Sequence, residues 1–375
     1  MIVNKPQMGF NTWNTFGPNV SEEVVLAMAD LIVEKGLDKL GYEYVVIDDC
    51  WAKRERENGI LVADPVKFPH GIKYVADYIH SKGLKFGIYS CAGTMTCAGY
   101  PSSFSYEYVD AKTFAEWGVD FLKYDYCHKP FSTRGEYLYR RMGLALANCG
   151  RDILFSACSW GADETHQWIR TTGASMWRST TDIVDAWASI KDLICTQRKI
   201  LPYGGKNCYN DMDMLIVGMN ARGLVGLKGC TEEEYKTHFG VWCLLASPLM
   251  IGVDLRAIDE SAEKILTNKM LIEINQDELG AQAYEIAPWD DARYMIVRHL
   301  SNGDIALGFV NLSDADIDMW TTFDALSLPE NCGKTFKAID VFTGEEDKSV
   351  INNTFKALMK PHACKIWRLK IVDKQ

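Results

Sequence analysis

Apolar and polar positions in the first 280 residues repeat in one order: a short apolar strand, a polar or aromatic loop, and an amphipathic helix that ends at glycine. Residues 21–36 illustrate the helical part. Val25 and Met28 lie at helical spacing after Ser21, a residue type that caps first turns, and Gly36 is a typical stop. The pattern therefore predicts strands and helices in alternation.

Eight predicted strand ends carry this rhythm. They are spaced by 20 to 41 residues over about 250 residues, which is the size and repeat of a (β/α)8 TIM barrel. A doubly wound open sheet is the alternative, but no glycine-rich phosphate loop follows the first strand, so nucleotide binding has no support. The predicted ends are Trp13, Asp48, Tyr89, Asp125, Cys158, Arg178, Asp213 and Met250.

The pattern changes after Gly280. Short β-type runs, such as 294–297 and 304–310, are separated by turn residues such as those of 301–303. This texture predicts an antiparallel β-sandwich. We therefore expect two domains, a catalytic barrel over 1–280 and a β-sandwich over 281–375 that packs on the barrel and carries no catalytic cluster.

One strand breaks the rule that buried parallel strands are continuous apolar runs. After Phe121 and Leu122 come Lys123, an aromatic residue and Asp125. A polar group at the carboxyl end of a barrel strand usually faces a ligand, so Asp125 is predicted to be functional. The alternative is a strand that simply stops at a charge.

Composition and charge exclude several classes of partner. The net charge is −10, from 40 basic and 50 acidic residues, and a surface of that sign repels phosphate backbones. No run of about 18 apolar residues is present to span a bilayer, and the first residues lack the apolar core of a secretory signal. We expect no nucleic-acid or membrane partner and a cytoplasmic location, or a secreted protein if the N-terminus was trimmed.

Metal and cofactor motifs are absent from the sequence. The twelve cysteines are scattered singly, without CxxC pairs, and the seven histidines make no HxH or HExxH spacing. We therefore expect neither a metal nor an organic cofactor.

The polar and aromatic residues near the strand ends favour a carbohydrate ligand. Sugar hydroxyls need charged donors and acceptors, and the apolar face of a pyranose packs on an aromatic ring. Several carboxylates, one lysine, one arginine and aromatic rings meet that need. The candidates are Trp13, Asp48, Asp49, Tyr89, Lys123, Asp125, Arg178, Asp182, Asp211 and Asp213.

A set of motifs in register resembles glycoside hydrolase family 27, the melibiase-type α-galactosidases and α-N-acetylgalactosaminidases. The likeness extends from residue 8 to about 280 and weakens beyond. It implies a (β/α)8 barrel followed by an antiparallel β domain. The motifs are MGFNTWN at 8–14, YVVIDDCW at 44–51, KFGIYS at 85–90, KYDYC at 123–127, WRSTTDI at 177–183, YNDMDMLIVG at 209–218, SPLMIGVDLR at 247–256 and INQDELG at 274–280.

The resemblance implies that Asp125 is the nucleophile and Asp182 the general acid/base of a retaining glycosidase. Such an enzyme needs one ionised carboxylate and one that can hold a proton. We expect Lys123 and Arg178 to favour the ionised forms. Further implied sugar contacts are Asp48 near O6, Asp49 and Lys123 at O4, Arg178 at O2 and O3, and a lining of Trp13, Tyr89 and Met214.

Departures from the family pattern bear on disulfides and specificity. The family commonly joins the positions of Cys97 and Cys127, whereas Cys50 lacks its usual partner and is expected to be a free thiol. Ser159 and Ala162 stand where several animal α-galactosidases have a glutamate and a larger apolar residue. The smaller pair, which the α-N-acetylgalactosaminidases share, leaves room for an N-acetyl group.

These features rank the functions. α-Galactosidase comes first, because microbial members vary at Ser159 and Ala162. α-N-Acetylgalactosaminidase comes second, and β-L-arabinopyranosidase third, because enzymes acting on that sugar carry a longer acidic residue at the position of Asp48. A catalytically silent sugar-binding protein is the alternative from another class, but binding alone would tolerate the loss of either Asp125 or Asp182.

Overall fold

The structure is a computed structural model that describes residues 3–286, 290–350 and 353–374. Residues 1–2, 287–289, 351–352 and 375 fall within the two predicted domains but lie outside the described residues. Helices in the described ranges are all too short or too polar to cross a bilayer.

Eight short parallel strands form the predicted barrel. From β1 to β7 each strand pairs with the next one in sequence, and β8 pairs with β1. Their side chains are almost entirely buried, which explains the apolar runs in the sequence. The strands are β1 (Met8–Asn11), β2 (Tyr44–Val46), β3 (Lys85–Cys91), β4 (Phe121–Asp125), β5 (Leu154–Cys158), β6 (Met176–Arg178), β7 (Tyr209–Asp211) and β8 (Leu249–Ile251).

The barrel closes between β7 and β8 through one residue. Leu215 bridges to Ile251, with its N–H donating to Met250 O at 2.8 Å and its carbonyl accepting from Gly252 N at 2.9 Å. The segment 212–214 interrupts strand 7 before this bridge. The prediction that strand 7 ends at Asp213 is therefore wrong by two residues.

The first strand also ends two residues earlier than predicted. It stops at Asn11, whose Oδ1 accepts from Trp13 N at 2.9 Å and turns the chain. Trp13 is consequently the first residue of a short helix rather than a strand end.

The helices between strands cover the outside of the barrel. In the second, Ser21 Oγ accepts from Val24 N at 3.3 Å, which confirms the predicted cap, and Gly36 has φ 66° beyond its end. The α-helices of the described residues are α1 (Trp13–Phe16), α2 (Glu22–Glu34), α3 (Gly71–Ser81), α4 (Glu107–Glu116), α5 (Gly135–Ala147), α6 (Thr165–Trp168), α7 (Trp187–Arg198), α8 (Glu232–Leu244), α9 (Glu260–Leu266) and α10 (Lys269–Asn275).

The C-terminal part is the predicted antiparallel β domain. A five-stranded sheet in the order β13-β15-β11-β10-β9 faces a two-stranded sheet of β12 and β14. Phe309, Phe355 and Trp367 pack between them. The strands are β9 (Tyr284–Glu285), β10 (Arg293–His299), β11 (Ile305–Asn311), β12 (Ile317–Thr322), β13 (Lys334–Asp340), β14 (Thr354–Met359) and β15 (Cys364–Asp373).

Arg298 joins the two domains. This fully buried side chain of β10 donates to Ile274 O at 2.7 Å, Cys243 O at 3.2 Å and Ala281 O at 3.1 Å, so one cation satisfies carbonyls in the last turns of α8 and α10 and in the segment that follows α10. Burial lowers the pKa of Arg298 to about 10, which leaves it charged at neutral pH.

We expect Arg298→Met to lower the free energy of unfolding by about 2–4 kcal/mol, because buried carbonyls then lose their donor. Urea unfolding followed by circular dichroism measures the change. Lys73→Gln, which removes an exposed pair with Asp77, is the control and should stay within about 0.5 kcal/mol of the parent. Equal stabilities of parent and Arg298→Met would contradict this account of the interface.

Candidate active site

A cavity of about 150 Å³ opens where the barrel strands end. It brings together the predicted site residues other than Asp211, Ser159 and Ala162, although they are spread over some 200 positions. Its lining is Trp13, Asn14, Asp48, Asp49, Tyr89, Cys97, Lys123, Asp125, Cys127, Trp160, Arg178, Asp182, Asp213 and Met214.

Strand β4 places Lys123 and Asp125 on the same face, because side chains two apart on a strand point the same way. The register pairs Tyr89 with Lys123, so both lie at one level of the barrel. Asp125 is 6% exposed, and its Oδ1 accepts from Tyr126 N at 2.8 Å. Burial raises the pKa of Asp125 to about 6, although the nearby Lys123 charge opposes the rise.

Lys123 pairs with Asp48 rather than with Asp49. Its Nζ lies 2.7 Å from Asp48 Oδ2, which also accepts from Asn11 Nδ2 at 2.8 Å. Burial acts against it, yet the Asp48 charge raises the pKa of Lys123 above its usual value. This end of the cavity therefore holds a fixed cation beside Asp125.

Asp49 is held by main-chain donors. Its Oδ1 accepts from Cys50 N at 2.7 Å and its Oδ2 from Ala98 N at 2.9 Å. Burial raises the pKa of Asp49, although these bonds act in the opposite direction. The carboxylate is thus oriented before any ligand arrives.

Arg178 is the second cation and is shared by two carboxylates. Its Nη2 lies 2.7 Å from Asp182 Oδ1, and its Nη1 lies 2.8 Å from Asp213 Oδ1. Burial raises the pKa of Asp213 to about 6 against the effect of Arg178. The side chain of Asp182 is 70% exposed; despite some desolvation, Arg178 lowers the pKa of that carboxyl.

A disulfide joins Cys97 to Cys127 on the wall beside Asp125, with 5.1 Å between the Cα atoms. A sulfur or oxygen atom of each of these three residues lies within 4.8 Å of the others. Because the two sulfurs are bonded to each other, they offer no thiolate to a metal ion. Cys50 is free and buried, as predicted.

Ser159 and Ala162 are not brought into this lining, as far as the described residues show. Ser159 is fully buried, and its Oγ lies 2.6 Å from Thr165 Oγ1. Ala162 begins the turn that follows. The side chain between them that does reach the cavity is Trp160, whose left-handed φ of 56° marks a sharp turn after β5.

Sequence reasoning missed Asn14 and Trp160. Asn14 is 2% exposed, and its Nδ2 has no hydrogen-bond partner among the described residues. Each lies one or two residues beyond a predicted strand end, so the position alone was an available indication. The sequence analysis predicted their immediate neighbours, Trp13 and Ser159, as site residues instead.

Two family models match the chain. The model described as alpha galactosidase A covers residues 6–277, and the model described as the alpha galactosidase C-terminal beta sandwich domain covers residues 290–369.

Known proteins are similar over 84% to 98% of the chain. "Alpha-galactosidase 2" of Arabidopsis thaliana is 40% identical over 98% of this chain and 90% of its own length. "Alpha-galactosidase A" of Cellvibrio japonicus is 42% identical over 84% of this chain and 78% of its own. The crystal structure of alpha-galactosidase I from Mortierella vinacea superposes with a TM-score of 0.90 at 34% identity, covering 98% and 97% of the two chains.

Reduction of the Cys97–Cys127 bond should lower the thermal unfolding midpoint. The bond closes a 30-residue separation, and such a closure contributes at most about 3–4 kcal/mol in the chain-entropy model. Calorimetry of oxidised and dithiol-treated protein measures the change, and a Cys97→Ser variant, which cannot form the bond, should be insensitive to the dithiol. Mass spectrometry that finds both thiols free in air-purified protein would contradict the prediction.

Proposed function

The chain belongs to the alpha galactosidase A family, and we propose that it removes terminal α-linked galactose by a retaining double displacement in which Asp125 attacks and Asp182 transfers the proton. The observation that carries this proposal is the meeting of two carboxylates in one cavity, each beside its own cation. Glycoside hydrolysis with retention needs such a pair on either side of the scissile bond.

Asp125 is suited to attack because it is fixed and sheltered. It ends a barrel strand and has its Oδ1 held by Tyr126 N, which leaves the other oxygen for the anomeric carbon. Lys123, held in place by Asp48, favours the anionic form. Burial excludes water that would otherwise solvate the charge and slow its attack.

Asp182 is suited to proton transfer because it lines the cavity and its side chain is largely exposed, so a leaving group can reach its carboxyl. A sugar lying over it removes water from its carboxyl, which favours the protonated form. Arg178 is also held by Asp213, so its charge is divided between two partners and does not bind Asp182 exclusively.

The two proposed catalytic carboxyls hold one proton over a limited pH range. The pKa of Asp125 is raised to about 6 and that of Asp182 is lowered, so the pair holds two protons in acid, one at intermediate pH and none well above pH 6. The first chemical step needs one proton, on Asp182, and one charge, on Asp125. Since the groups interact, the proton belongs to the pair until the sugar places it on Asp182.

Galactose is preferred to N-acetylgalactosamine in this proposal. The features that favoured the acetamido sugar were Ser159 and Ala162, but the Ser159 hydroxyl is buried and engaged with Thr165. Trp160 lines the cavity instead. The Ser159 hydroxyl therefore gives little support to the alternative function, α-N-acetylgalactosaminidase.

Two further sequence expectations remain proposals. The partner is a small carbohydrate, which the polar and aromatic lining supports. The cytoplasmic location stays a prediction.

Asp125→Asn should reduce turnover of an aryl α-galactoside by at least about 10³-fold while retaining galactose binding, because only the nucleophile is lost. Asp182→Ala should lower kcat/KM for galactosides of poorly acidic leaving groups by about 10²- to 10⁴-fold and spare kcat/KM for those of acidic phenols, which depart without a proton. Steady-state kinetics and calorimetric binding measure these effects. Asp77→Asn, an exposed change on α3, is the control. Full turnover by Asp125→Asn would end the proposal and leave a different nucleophile to be found.

The pH profile offers an independent measurement. Below pH 6 the pair retains a proton; above about pH 6 it loses that proton, so kcat/KM for a phenyl galactoside should fall about tenfold per pH unit. A dinitrophenyl galactoside needs no proton on its leaving group and should keep its kcat/KM there. Parallel profiles for the two substrates would refute the proton assignment.

A further inference from the structure

The position of the Asp182 carboxyl depends on its pair with Arg178 and on the contacts of the residues around it in the chain. Among the described residues the Asp182 carboxyl pairs with Arg178, and most of its side chain is exposed. It lies in the loop between β6 and α7, residues 179–186, which we call the Asp182 loop. Ile183 N donates to Asp213 Oδ2 at 2.7 Å just after the carboxyl. The position of Asp182 therefore depends on what holds this loop.

Asp185 ties the Asp182 loop to the next loop and to α8. Its fully buried carboxylate accepts from Ala221 N at 2.8 Å and from Tyr235 OH at 2.9 Å. Its main chain donates to Val225 O at 3.0 Å and accepts from Gly229 N at 3.1 Å. These four hydrogen bonds fix the position of Asp185. Tyr235, in the first turn of α8, supplies one of the four.

The C-terminal domain reaches the same region through His362. The imidazole stacks on Trp187, the first residue of α7, with ring centroids 4.3 Å apart and planes 19° apart. Its Nδ1 lies 2.6 Å from Glu234 Oε1, and its carbonyl accepts from Thr237 Oγ1 at 2.6 Å. Glu234 is the residue that completes the capping box of α8 with Thr231. The His362 side chain thus contacts both Trp187, which directly follows the Asp182 loop, and the turn of α8 that holds Asp185.

We propose that the C-terminal domain positions Asp182 for proton transfer, with His362 as the positioning residue. His362 fixes Trp187 directly and fixes Asp185 through the Glu234–Tyr235 turn of α8. Asp185 and Trp187 follow Asp182 closely in the chain, so fixing them fixes the segment that carries the carboxyl. The inference rests on the proposed acid/base role of Asp182 and gives the β domain a part in catalysis, although it contributes no residue to the lining of the cavity among those described.

The proposal has a kinetic consequence that a general loss of stability lacks. A displaced general acid slows departure of poor leaving groups and leaves good ones unaffected, because an acidic phenol departs without a proton. Misplacement by about 1 Å is enough to weaken such assistance strongly. The readout is therefore the dependence of kcat/KM on the acidity of the leaving phenol across a series of aryl α-galactosides.

The variant is His362→Asn. His362 has φ 62°, a left-handed conformation that asparagine tolerates better than most residues, so the change removes the ring without adding backbone strain. Tyr235→Phe is a second variant that removes the bond to Asp185 and keeps the aromatic packing. Glu273→Gln is the matched control: it breaks the pair between Glu273 and Arg368, which also joins the domains but lies on α10.

We expect His362→Asn to lower kcat/KM about tenfold or more for phenyl galactoside and less than about twofold for dinitrophenyl galactoside. Tyr235→Phe should show the same trend to a smaller degree. If His362→Asn does not fold, Trp187→Leu, which removes the stacking with His362 from the barrel side, tests the same contact and should show the same dependence on the leaving group. Glu273→Gln should leave both substrates equally affected. Equal losses on the two substrates in the folded variants, or no loss, would overturn the proposal.

Asp182→Ala in the same series separates this proposal from the one it rests on. If Asp182→Ala shows the leaving-group dependence and His362→Asn does not, the positioning role is wrong and the acid/base role stands. If Asp182→Ala shows no dependence, the acid/base assignment fails, and the positioning proposal falls with it.

Discussion

The buried guanidinium of Arg178 is the constraint around which the catalytic end of the barrel is arranged. It is 3% exposed, and a charge removed from water to that extent is tolerated only when it is paired. Asp213 and Asp182 supply the pairs, and each comes from a loop rather than from a strand. Two loops are thereby required to meet at one side chain of β6, which determines where the second proposed catalytic carboxyl can lie.

The interruption of strand 7 allows Asp213 to pair with Arg178. Regular pairing to Leu215 would hold residues 212–214 in the sheet, whereas Asp213 adopts φ 83° and turns its carboxylate to Arg178 and Ile183 N. The barrel resumes at Leu215, so closure is not lost. A strained backbone of this kind persists only where surrounding contacts determine it, and such positions cluster at functional sites.

Turns at the strand ends, such as the interruption of strand 7, separate what the sequence could predict from what it could not. Runs with one strong period, such as β4 with its terminal Lys123 and Asp125, follow from the pattern alone, and so did the change of texture after Gly280. Trp13, Asp213 and Ser159 were placed less well because their positions depend on turns made by particular contacts, such as Asn11 with the main chain of Trp13. The residues that meet in the cavity could be named from the strand ends and the family motifs, but their pairing could not. Lys123 bonds Asp48 rather than Asp49 because of side-chain directions that only the folded barrel fixes.

Helix α8 connects the β domain, which carries neither of the proposed catalytic residues, to the active site. It is buried on nearly every side, because the barrel covers one face and the β domain the other. Backbones approach closely there: an added Cβ on Gly240 would lie 2.6 Å from Ile366 Cδ1, and one on Gly308 would lie 2.4 Å from Leu244 Cδ1. A helix packed this tightly has no freedom to shift. From its inner face Trp242 Nε1 donates to the main-chain oxygen of Asp213 at 2.8 Å. The tight packing of α8 against the β domain therefore extends to the main chain of Asp213, whose carboxylate shares Arg178 with Asp182.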